Sequence, residues 1–195
     1  MKIDKFFSWL LLSVVLCSFC ACSSDDEEGE GTGSNGAVTL NIGGVKTNLG
    51  NVYWMAESYS QGKNHYELQF MSFDLYAYMA GGDYSSLPSS YSVVYISFEA
   101  PGSLAELPVG TFEENDYELS GVLDASLDNG EGRYYVEEGS ASGSLVITKA
   151  GDNYTVTISP LEVVYSNPDD VGQGNWMSTT MNWNYTGKIK KAPEE

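Results

Sequence analysis

The side chains that most often act as nucleophiles or general bases are scarce in this chain of 195 residues. It has one histidine, His65, and three cysteines, Cys17, Cys20 and Cys22, which all lie in one short N-terminal stretch. A Ser-His-Asp triad or a histidine-rich metal site needs a correctly placed imidazole. His65 stands in GKNHYE, a turn-like strand start, which favours an ordinary polar role. We therefore expect no catalytic residue, no cofactor and no metal site.

Carboxylates are the one reactive group in good supply. The chain has 27 Asp and Glu residues against 9 Lys and Arg, a formal net charge of −18. Two carboxylates can catalyse glycoside hydrolysis, but in so acidic a chain some pair always lies close, so the count alone does not indicate an enzyme. The charge argues against a nucleic-acid partner, whose phosphates need a basic surface. It also argues against direct adsorption to anionic lipid headgroups.

One acidic segment, DASLDNGEG (124–132), has the composition of a calcium loop. Its oxygen-bearing side chains are Asp124, Asp128, Asn129 and Glu131. Calcium binds several oxygen ligands from one loop, but the spacing here does not match the EF-hand pattern. A plain acidic turn is the favoured interpretation, and a calcium site is the alternative.

Aromatic residues supply the remaining candidate contacts, since the chain has 14 tyrosines and 4 tryptophans. Exposed aromatic rings stack on sugars and also occur at protein interfaces. Four residues in predicted loops or on predicted polar faces are candidates for ligand binding: Trp176, Tyr84, Tyr59 and Tyr134. Tyr134 and Tyr135 are adjacent, so one of them must face away from the core if the segment is a strand. For each candidate, a structural role is the alternative.

The N-terminus has the organisation of a secretory signal peptide over residues 1–21. Lys2 and Lys5 precede the apolar run FFSWLLLSVVL (6–16), which is shorter than the roughly 20 residues that a membrane-spanning helix needs. The small residue Ala21 then precedes Cys22, as expected of a cleavage site. Cleavage there would leave Cys22 as the only cysteine of the mature chain, so we expect no disulfide.

The stretch FCAC (19–22) resembles a bacterial lipobox, with Phe19 in the position usually held by leucine. The resemblance implies that Cys22 carries a lipid anchor. The alternative is an ordinary secretory signal with incidental cysteines.

The segment after Cys22, SSDDEEGEGTGSNG (23–36), has no apolar residue and is predicted to be a flexible tether. Together with the cysteine it forms a second region, 22–36. Its Ser-Asp-Asp-Glu-Glu run resembles the export signal of Bacteroidetes-type surface lipoproteins. That resemblance implies an outer-membrane protein, lipid-anchored and exposed at the cell surface. The alternative is a tether that is merely solvated.

Residues 37–195 are predicted to form a single all-β domain. The clearest pattern is MSTTMNWNYTGKIK (177–190), in which Met177, Met181, Trp183 and Tyr185 share one face while polar residues occupy the other. Alternation of this kind indicates a half-buried strand, because successive side chains point to opposite faces. No window shows a sustained helical period.

Other segments repeat the strand pattern, with turn residues between them. GSLVITKAGDNYTVT is predicted to be a hairpin that turns in 150–153, and HYELQFMSFDLYAY (65–78) a strand with a bulge near Met71. The further predicted strands are 37–42, 45–57, 91–100 and the shorter segments VGTFEE, YELSGVL and RYYVEE. Many short strands favour a single antiparallel β-sandwich, and a lipocalin-like barrel is the alternative.

Three segments in the second half extend the resemblance to lipoproteins. LPVGTFE (107–113), GSASGSLVITKAGDNYTVTI (139–158) and NYTGKI (184–189) occur in this order, in a layout similar to that of uncharacterised Bacteroidetes lipoproteins. The resemblance implies a surface β-protein and brings no catalytic residues.

These observations predict a non-catalytic binding or assembly module displayed at the cell surface. Its expected partner is a glycan or an outer-membrane protein, and its only membrane contact is the lipid anchor. A carboxylate-dependent hydrolase and a fimbrial or adhesive subunit are the alternatives. Loops on a rigid β-scaffold are common recognition sites, and Trp176, which follows a loop of turn residues, is the first candidate.

Overall fold

A computed structural model describes residues 36–42, 45–59, 62–80, 88–127, 131–167 and 176–193. The predicted signal peptide, Cys22 and nearly all of the predicted tether lie outside the described residues. The described chain is mostly strands with almost no helix. The all-β prediction is therefore confirmed.

Two sheets account for the strands. A small sheet pairs β1 (Val38–Ile42) with β2 (Val45–Leu49) in antiparallel register. The large sheet has ten strands. These are β3 (Asn51–Ser58), β4 (Asn64–Met71), β5 (Ser90–Ala100), β6 (Gly110–Phe112), β7 (Tyr117–Ser126), β8 (Tyr134–Glu138), β9 (Leu145–Ala150), β10 (Asn153–Ser166), β11 (Met177–Gly187) and β12 (Lys190–Lys191).

The large sheet has the strand order β12-β3-β4-β5-β7-β8-β10-β9-β6, with β11 paired to the other edge of β10. The first part of β10 pairs with β9 and its last residues pair with β8. Between these parts the register with β11 shifts, from Ile158 to Leu161. Pro160 lies in this irregular stretch and has no N–H to donate to the ladder.

The result is a curled half-barrel rather than two stacked flat layers, so the single sandwich is not confirmed. The sheet is also mixed, because β12 pairs with β3 in parallel while the other pairs are antiparallel. Because β10 pairs with β8, β9 and β11, these strands form one continuous, bent sheet. In a β-sandwich the strands would be divided between two separate sheets.

The main core lies on the inner face of the half-barrel. Phe70 on β4 packs edge to face against Trp183 and Tyr185 on β11, with ring centroids 4.8 and 5.4 Å apart. All three side chains are essentially inaccessible to solvent. Leu40 and Leu49 of the small sheet join the same core. The alternation predicted for the closing strand is confirmed from Met181 onward, whereas Met177 at its start is exposed.

The turn of the β9–β10 hairpin is also confirmed. Ala150 pairs with Asn153 around a loop made of Gly151 and Asp152. Gly151 has a φ of 58°, the left-handed conformation that glycine adopts without a steric penalty.

Two predicted strands are wrong in part. The strand predicted over 65–78 ends at Met71, and Leu75–Met79 form a short helix, α1. Asp74 is the N-cap, and its side chain accepts a hydrogen bond from the Ala77 N–H at 3.0 Å. The apparent bulge near Met71 is thus the end of one element and the start of another. Similarly, 45–57 is two strands in different sheets, separated at Gly50.

Helix α1 covers part of the outer face of the large sheet. Its Leu75 and Tyr76 pack on a second apolar cluster that includes Met71, Val93 and Val122. The next positions along the same outer face are polar and are not covered by the helix. Within the described residues, no helix has the length and apolar character needed to cross a membrane.

Candidate functional site

An open groove of about 560 Å³ lies on the outer face, across strands β4, β5, β7 and β8. Strand pairing places its side chains in rows. Glu67 lies opposite Ser97, which lies opposite Glu118. In the next row Tyr95 lies opposite Ser120, which lies opposite Glu137. Each of these residues occupies the outward phase of its strand, because its neighbours Leu68, Ile96, Leu119 and Val136 are buried in the main core.

Carboxylates dominate this groove. It is lined by His65, Glu67, Tyr95, Ser97, Glu114, Asn115, Glu118, Leu119, Ser120, Glu137, Glu138, Gly139 and Ser140. Five of these residues are glutamates and none is lysine or arginine. Unbalanced like charges along one concave surface create a strong local negative potential. The groove is thus suited to a ligand that carries positive charge.

Burial makes ionisation of some of these carboxyl groups less favourable. Burial raises the pKa of Glu67, and a hydrogen bond from Gln69 Nε2 to Glu67 Oε1, at 2.6 Å, offsets only part of this effect. Gln69 is itself oriented by Tyr76 of α1, whose hydroxyl donates to Gln69 Oε1 at 2.8 Å. Burial also raises the pKa of Glu137, with the charge of Glu118 adding to the shift.

The largest carboxylate shift belongs to Glu138 at the end of β8. Burial raises its pKa to about 7, and the charges of Glu114 and Glu118 act in the same direction. Hydrogen bonding with Tyr117 and Ser142 works against the shift without cancelling it. A cation in the groove would favour the ionised form of all these carboxyl groups.

A second open groove of about 500 Å³ continues from the first. The two share His65, Ser97, Asn115 and Glu118. Lys63 lies at this end and pairs with Glu99 at 3.5 Å. Because both side chains remain in contact with solvent, this ion pair contributes little to stability, and it leaves the carboxylates of the first groove unbalanced.

The three aromatic candidates that the structure describes, Tyr59, Tyr134 and Trp176, do not line one common site. Tyr59 is 58% exposed and lines the second groove, so its predicted exposure is confirmed. Trp176 is partly buried before the start of β11. Tyr84 and Cys22 lie outside the described residues.

Tyr134 does not fit its predicted ligand-binding role. It is 8% exposed and packs in the main core, where its ring meets Tyr165 edge to face. Its neighbour Tyr135 has the opposite phase and borders the outer cluster beside α1. Strand register against β7 decides between the two, because Val122 lies opposite Tyr135 and Leu123 lies opposite Tyr134.

The acidic segment 124–132 is a connection between β7 and β8 and is described only in part. The Asp124 carboxylate accepts a hydrogen bond from Ser90 Oγ at 2.5 Å, and Asp124 has a φ of 50°. Asp128 and Asn129 lie outside the described residues. In the described part of the chain, no group of three or more His, Cys, Asp or Glu side chains is arranged to hold a metal ion.

The groove cannot be located from the sequence alone, although part of its signal is present in the chain. Glu67, Glu118 and Glu137 each follow an inward-facing residue, as in the segments YEL (66–68 and 117–119) and VEE (136–138). Alternation shows that such residues face outward. It does not show that four strands place them side by side.

No protein-family model, curated protein or solved structure matches the chain. The chemistry of the groove is therefore inferred from its own side chains.

Proposed function

We propose that this protein is a non-catalytic, lipid-anchored binding module at the outer-membrane surface, and that its groove holds a positively charged segment of a partner protein. The observation that supports the proposal best is the set of five glutamates in a groove without lysine or arginine. Cationic side chains would pair with these carboxylates and relieve their mutual repulsion. A basic peptide segment therefore fits the groove better than a neutral glycan.

The scaffold supports such a role. The groove lies on four neighbouring strands of one sheet, and the other side of those strands packs in the main core. Sites on regular elements hold side chains more precisely than sites on loops. The β1–β2 sheet also contributes residues to the main core, and we propose that it forms a sandwich-like second layer over the large sheet.

The groove can be tested with a hexalysine peptide as the probe. In low-salt buffer we expect the parent domain to bind it, and the double variant Glu118→Gln, Glu137→Gln to bind it at least roughly tenfold more weakly, through the loss of two charge-assisted contacts. Added salt should weaken binding by the parent more than by the variant. Isothermal titration calorimetry measures both effects.

A charge-matched control separates the groove from the overall charge of the protein. Asp152→Asn with Glu106→Gln removes the same two charges from exposed positions that do not line the groove. This control should bind hexalysine within about twofold of the parent. Equal losses in the two double variants would contradict a groove-specific site, as would an absence of binding by the parent.

The proposed anchor is tested by membrane fractionation of cells that produce the full chain. Cys22→Ala should release the protein from the membrane fraction, because one or two acyl chains supply the membrane affinity. The matched control Cys20→Ala should stay with the membranes, since Cys20 precedes the predicted cleavage site. Retention of the Cys22→Ala protein would show that another element anchors it.

A carboxylate-dependent hydrolase is the second candidate, and one observation favours it. Burial raises the pKa of Glu138, which lies near Glu114 and Glu118, to about 7, and a carboxyl group with a raised pKa beside a second carboxyl group is the arrangement of many glycosidases. Against this candidate, the Oε1 atom of Glu138 is buried and the groove is open. Release of reducing sugar from a polysaccharide panel by the parent, lost in Glu118→Gln, would support the hydrolase over the binding module.

A further inference from the structure

Strand β3 has an open backbone edge over its second half. On one side it pairs with β4 along its whole length, and on the other side only Tyr53 and Trp54 are paired, with β12. The Ala192 N–H donates to the Trp54 carbonyl at 2.8 Å and is the last described bond of this short parallel ladder. No other described strand lies alongside β3. Beyond Trp54, its outer edge therefore faces no described strand.

Strand geometry identifies the backbone groups on this edge. The N–H and C=O of one strand residue point to the same side, and the side alternates along the chain. Because the Trp54 carbonyl points to β12, Ala56 and Ser58 also direct their N–H and C=O groups to that edge, whereas Met55 and Glu57 direct theirs to β4. The backbone groups of Ala56 and Ser58 thus remain available for pairing with another chain.

The outward side chains beside this edge combine an apolar surface with carboxylates. Met55 is 42% exposed, and its Sδ atom lies 3.3 Å from Gln69 Nε2, the nitrogen that also bonds to Glu67. A small depression of about 100 Å³ adjoins the edge and is lined by Met55, Ala56, Glu57, His65 and Glu67. The methylene stem of a lysine can pack over Met55 while its ammonium group approaches a glutamate.

The charge at this end of the sheet favours a basic segment. Lys63 is already paired with Glu99 on β5 at 3.5 Å. Glu57 on β3 and Glu67 on β4 have no lysine or arginine as an ion-pair partner among the described residues. A basic side chain on an added strand would therefore meet two carboxylates that lack such a partner.

Strand β12 shows how a cationic residue lies on this edge. Lys190 is opposite Tyr53 in the ladder. Its Nζ atom lies 5.0 Å from the centre of the Tyr53 ring and donates to Tyr53 Oη at 3.1 Å and Asp74 Oδ2 at 3.3 Å. The next outward residue of β3 is Met55, which lies opposite Glu67. A side-chain surface beside a carboxylate thus recurs one step along the edge, where β12 has ended.

We propose that the β3 edge, residues 56–58, is the docking site of an extended partner segment with lysine or arginine at alternate positions, which adds to the large sheet as a further strand. Its backbone pairs with Ala56 and Ser58, and its basic side chains lie over Met55 toward Glu57 and Glu67. The preference for basic residues rests on the proposed function. The added strand does not, because it depends on backbone groups.

The probe is a capped peptide of alternating lysine and threonine, about six residues long, the usual length of a strand. Two analogues are methylated on the backbone nitrogen, one at every lysine and the other at every threonine. Only alternate N–H groups of an added strand face its neighbour. One analogue should therefore bind within about twofold of the unmodified peptide, and the other at least roughly tenfold more weakly. Isothermal titration calorimetry gives the three affinities.

The analogue that loses affinity also reveals the direction of the added strand. With the basic side chains outward, the lysine N–H groups face β3 in a parallel strand and the threonine N–H groups face it in an antiparallel one. Hydrogen exchange gives the site on the protein. The Ala56 and Ser58 amides should gain at least about tenfold in protection with saturating peptide, whereas the Met55 and Glu57 amides, which face β4, should change little.

A matched pair of variants tests the edge from the side of the protein. Ala56→Pro removes one N–H group from the open edge, where proline is tolerated because the β3–β4 ladder does not use that group. Ala56→Gly removes the same methyl group and keeps the N–H. Ala56→Pro should bind the unmodified peptide about fivefold more weakly than Ala56→Gly does. Equal affinities of the two variants would argue against the added strand.

Two further results would overturn the added strand, and both use the parent protein, so they stand even if a variant fails to fold. One is equal binding of the two methylated analogues, and the other is an absence of binding by the unmodified peptide. A ligand-free dimer in sedimentation velocity that Ala56→Pro dissociates would assign the edge to a second copy of the chain instead.

The same measurements separate the edge from the groove. A clear difference between the analogues, with hexalysine binding unchanged in Glu118→Gln, Glu137→Gln, would contradict the proposed groove and support the edge. Loss of hexalysine binding in that double variant, with no difference between the analogues, would support the groove and contradict the added strand.

Discussion

Trp183→Ala is expected to lower the free energy of unfolding by about 3–5 kcal/mol, the range observed when a large core aromatic is truncated. Trp183 has no exposed surface, and its ring packs against Phe70 from the opposite side of the core. Its removal therefore costs both the transfer of a large apolar side chain and the cavity that remains, because closely packed strands relax only in part. Urea denaturation followed by far-UV circular dichroism gives the value without relying on tryptophan fluorescence.

The neighbouring residue provides the matched control. Asn182 is exposed on the other side of β11, where its side chain accepts a hydrogen bond from Ser159 Oγ. Asn182→Ala should cost about 1 kcal/mol or less. Equal denaturation midpoints for the two variants would mean that the strand has the opposite phase.

A third substitution at the same position tests a detail of the core. Trp183 Nε1 is buried and has no hydrogen-bond partner among the described residues. Trp183→Phe removes this unsatisfied donor together with part of the ring. Trp183→Phe should therefore lower the free energy of unfolding by less than the loss of buried apolar area alone would indicate.

Phe70→Ala is expected to have an effect of similar size, about 3–5 kcal/mol. Phe70 lies on β4 and is the only described side chain whose ring packs edge to face on both Trp183 and Tyr185. These contacts join β4 to β11, which are not paired with each other in the sheet. Loss of the ring therefore weakens the packing that closes the half-barrel as well as a local contact.

A double-mutant cycle distinguishes this packing from general destabilisation. The combined variant Phe70→Ala, Trp183→Ala should cost less than the sum of the single variants, by about 0.5–1.5 kcal/mol for a directly packed aromatic pair. Phe73→Ala, the same truncation at a partly buried position outside the strands, should cost much less than Phe70→Ala. Strict additivity of the two core variants would indicate that the rings do not interact.

The predictions for Trp183, for Phe70 and for the groove differ in how much of each can be inferred from the sequence alone. The inward position of Trp183 follows from the sequence, because alternation in MSTTMNWNYTGKIK assigns one face to large apolar residues. The β9–β10 turn also follows, since Gly151 and Asp152 are residues that tight turns favour. The sequence does not show that Phe70 faces Trp183, because this contact joins residues more than 100 positions apart.

The errors in the sequence analysis have the same origin. The segment after Met71 has apolar residues at a spacing that fits a strand or a helical turn, and the Asp74 cap together with the packing of Tyr76 on the outer cluster selects the helix. For Tyr134 and Tyr135 the residue types are identical, so only the pairing of β8 with β7 and β10 assigns one to the core. Local preference left both cases open, and non-local packing settled them.

By itself, the sequence determined the all-β class, the faces of the longest strands and the acidic character of the surface, because period-two alternation, turn residues and charge are properties of short segments. Only the tertiary structure decided that β10 pairs with three strands, that the sheet curls, and that glutamates from β4, β7 and β8 line one groove. The physical reason is register. Alternation fixes the side of a strand from which a carboxylate projects, and long-range hydrogen bonding fixes which carboxylates become neighbours.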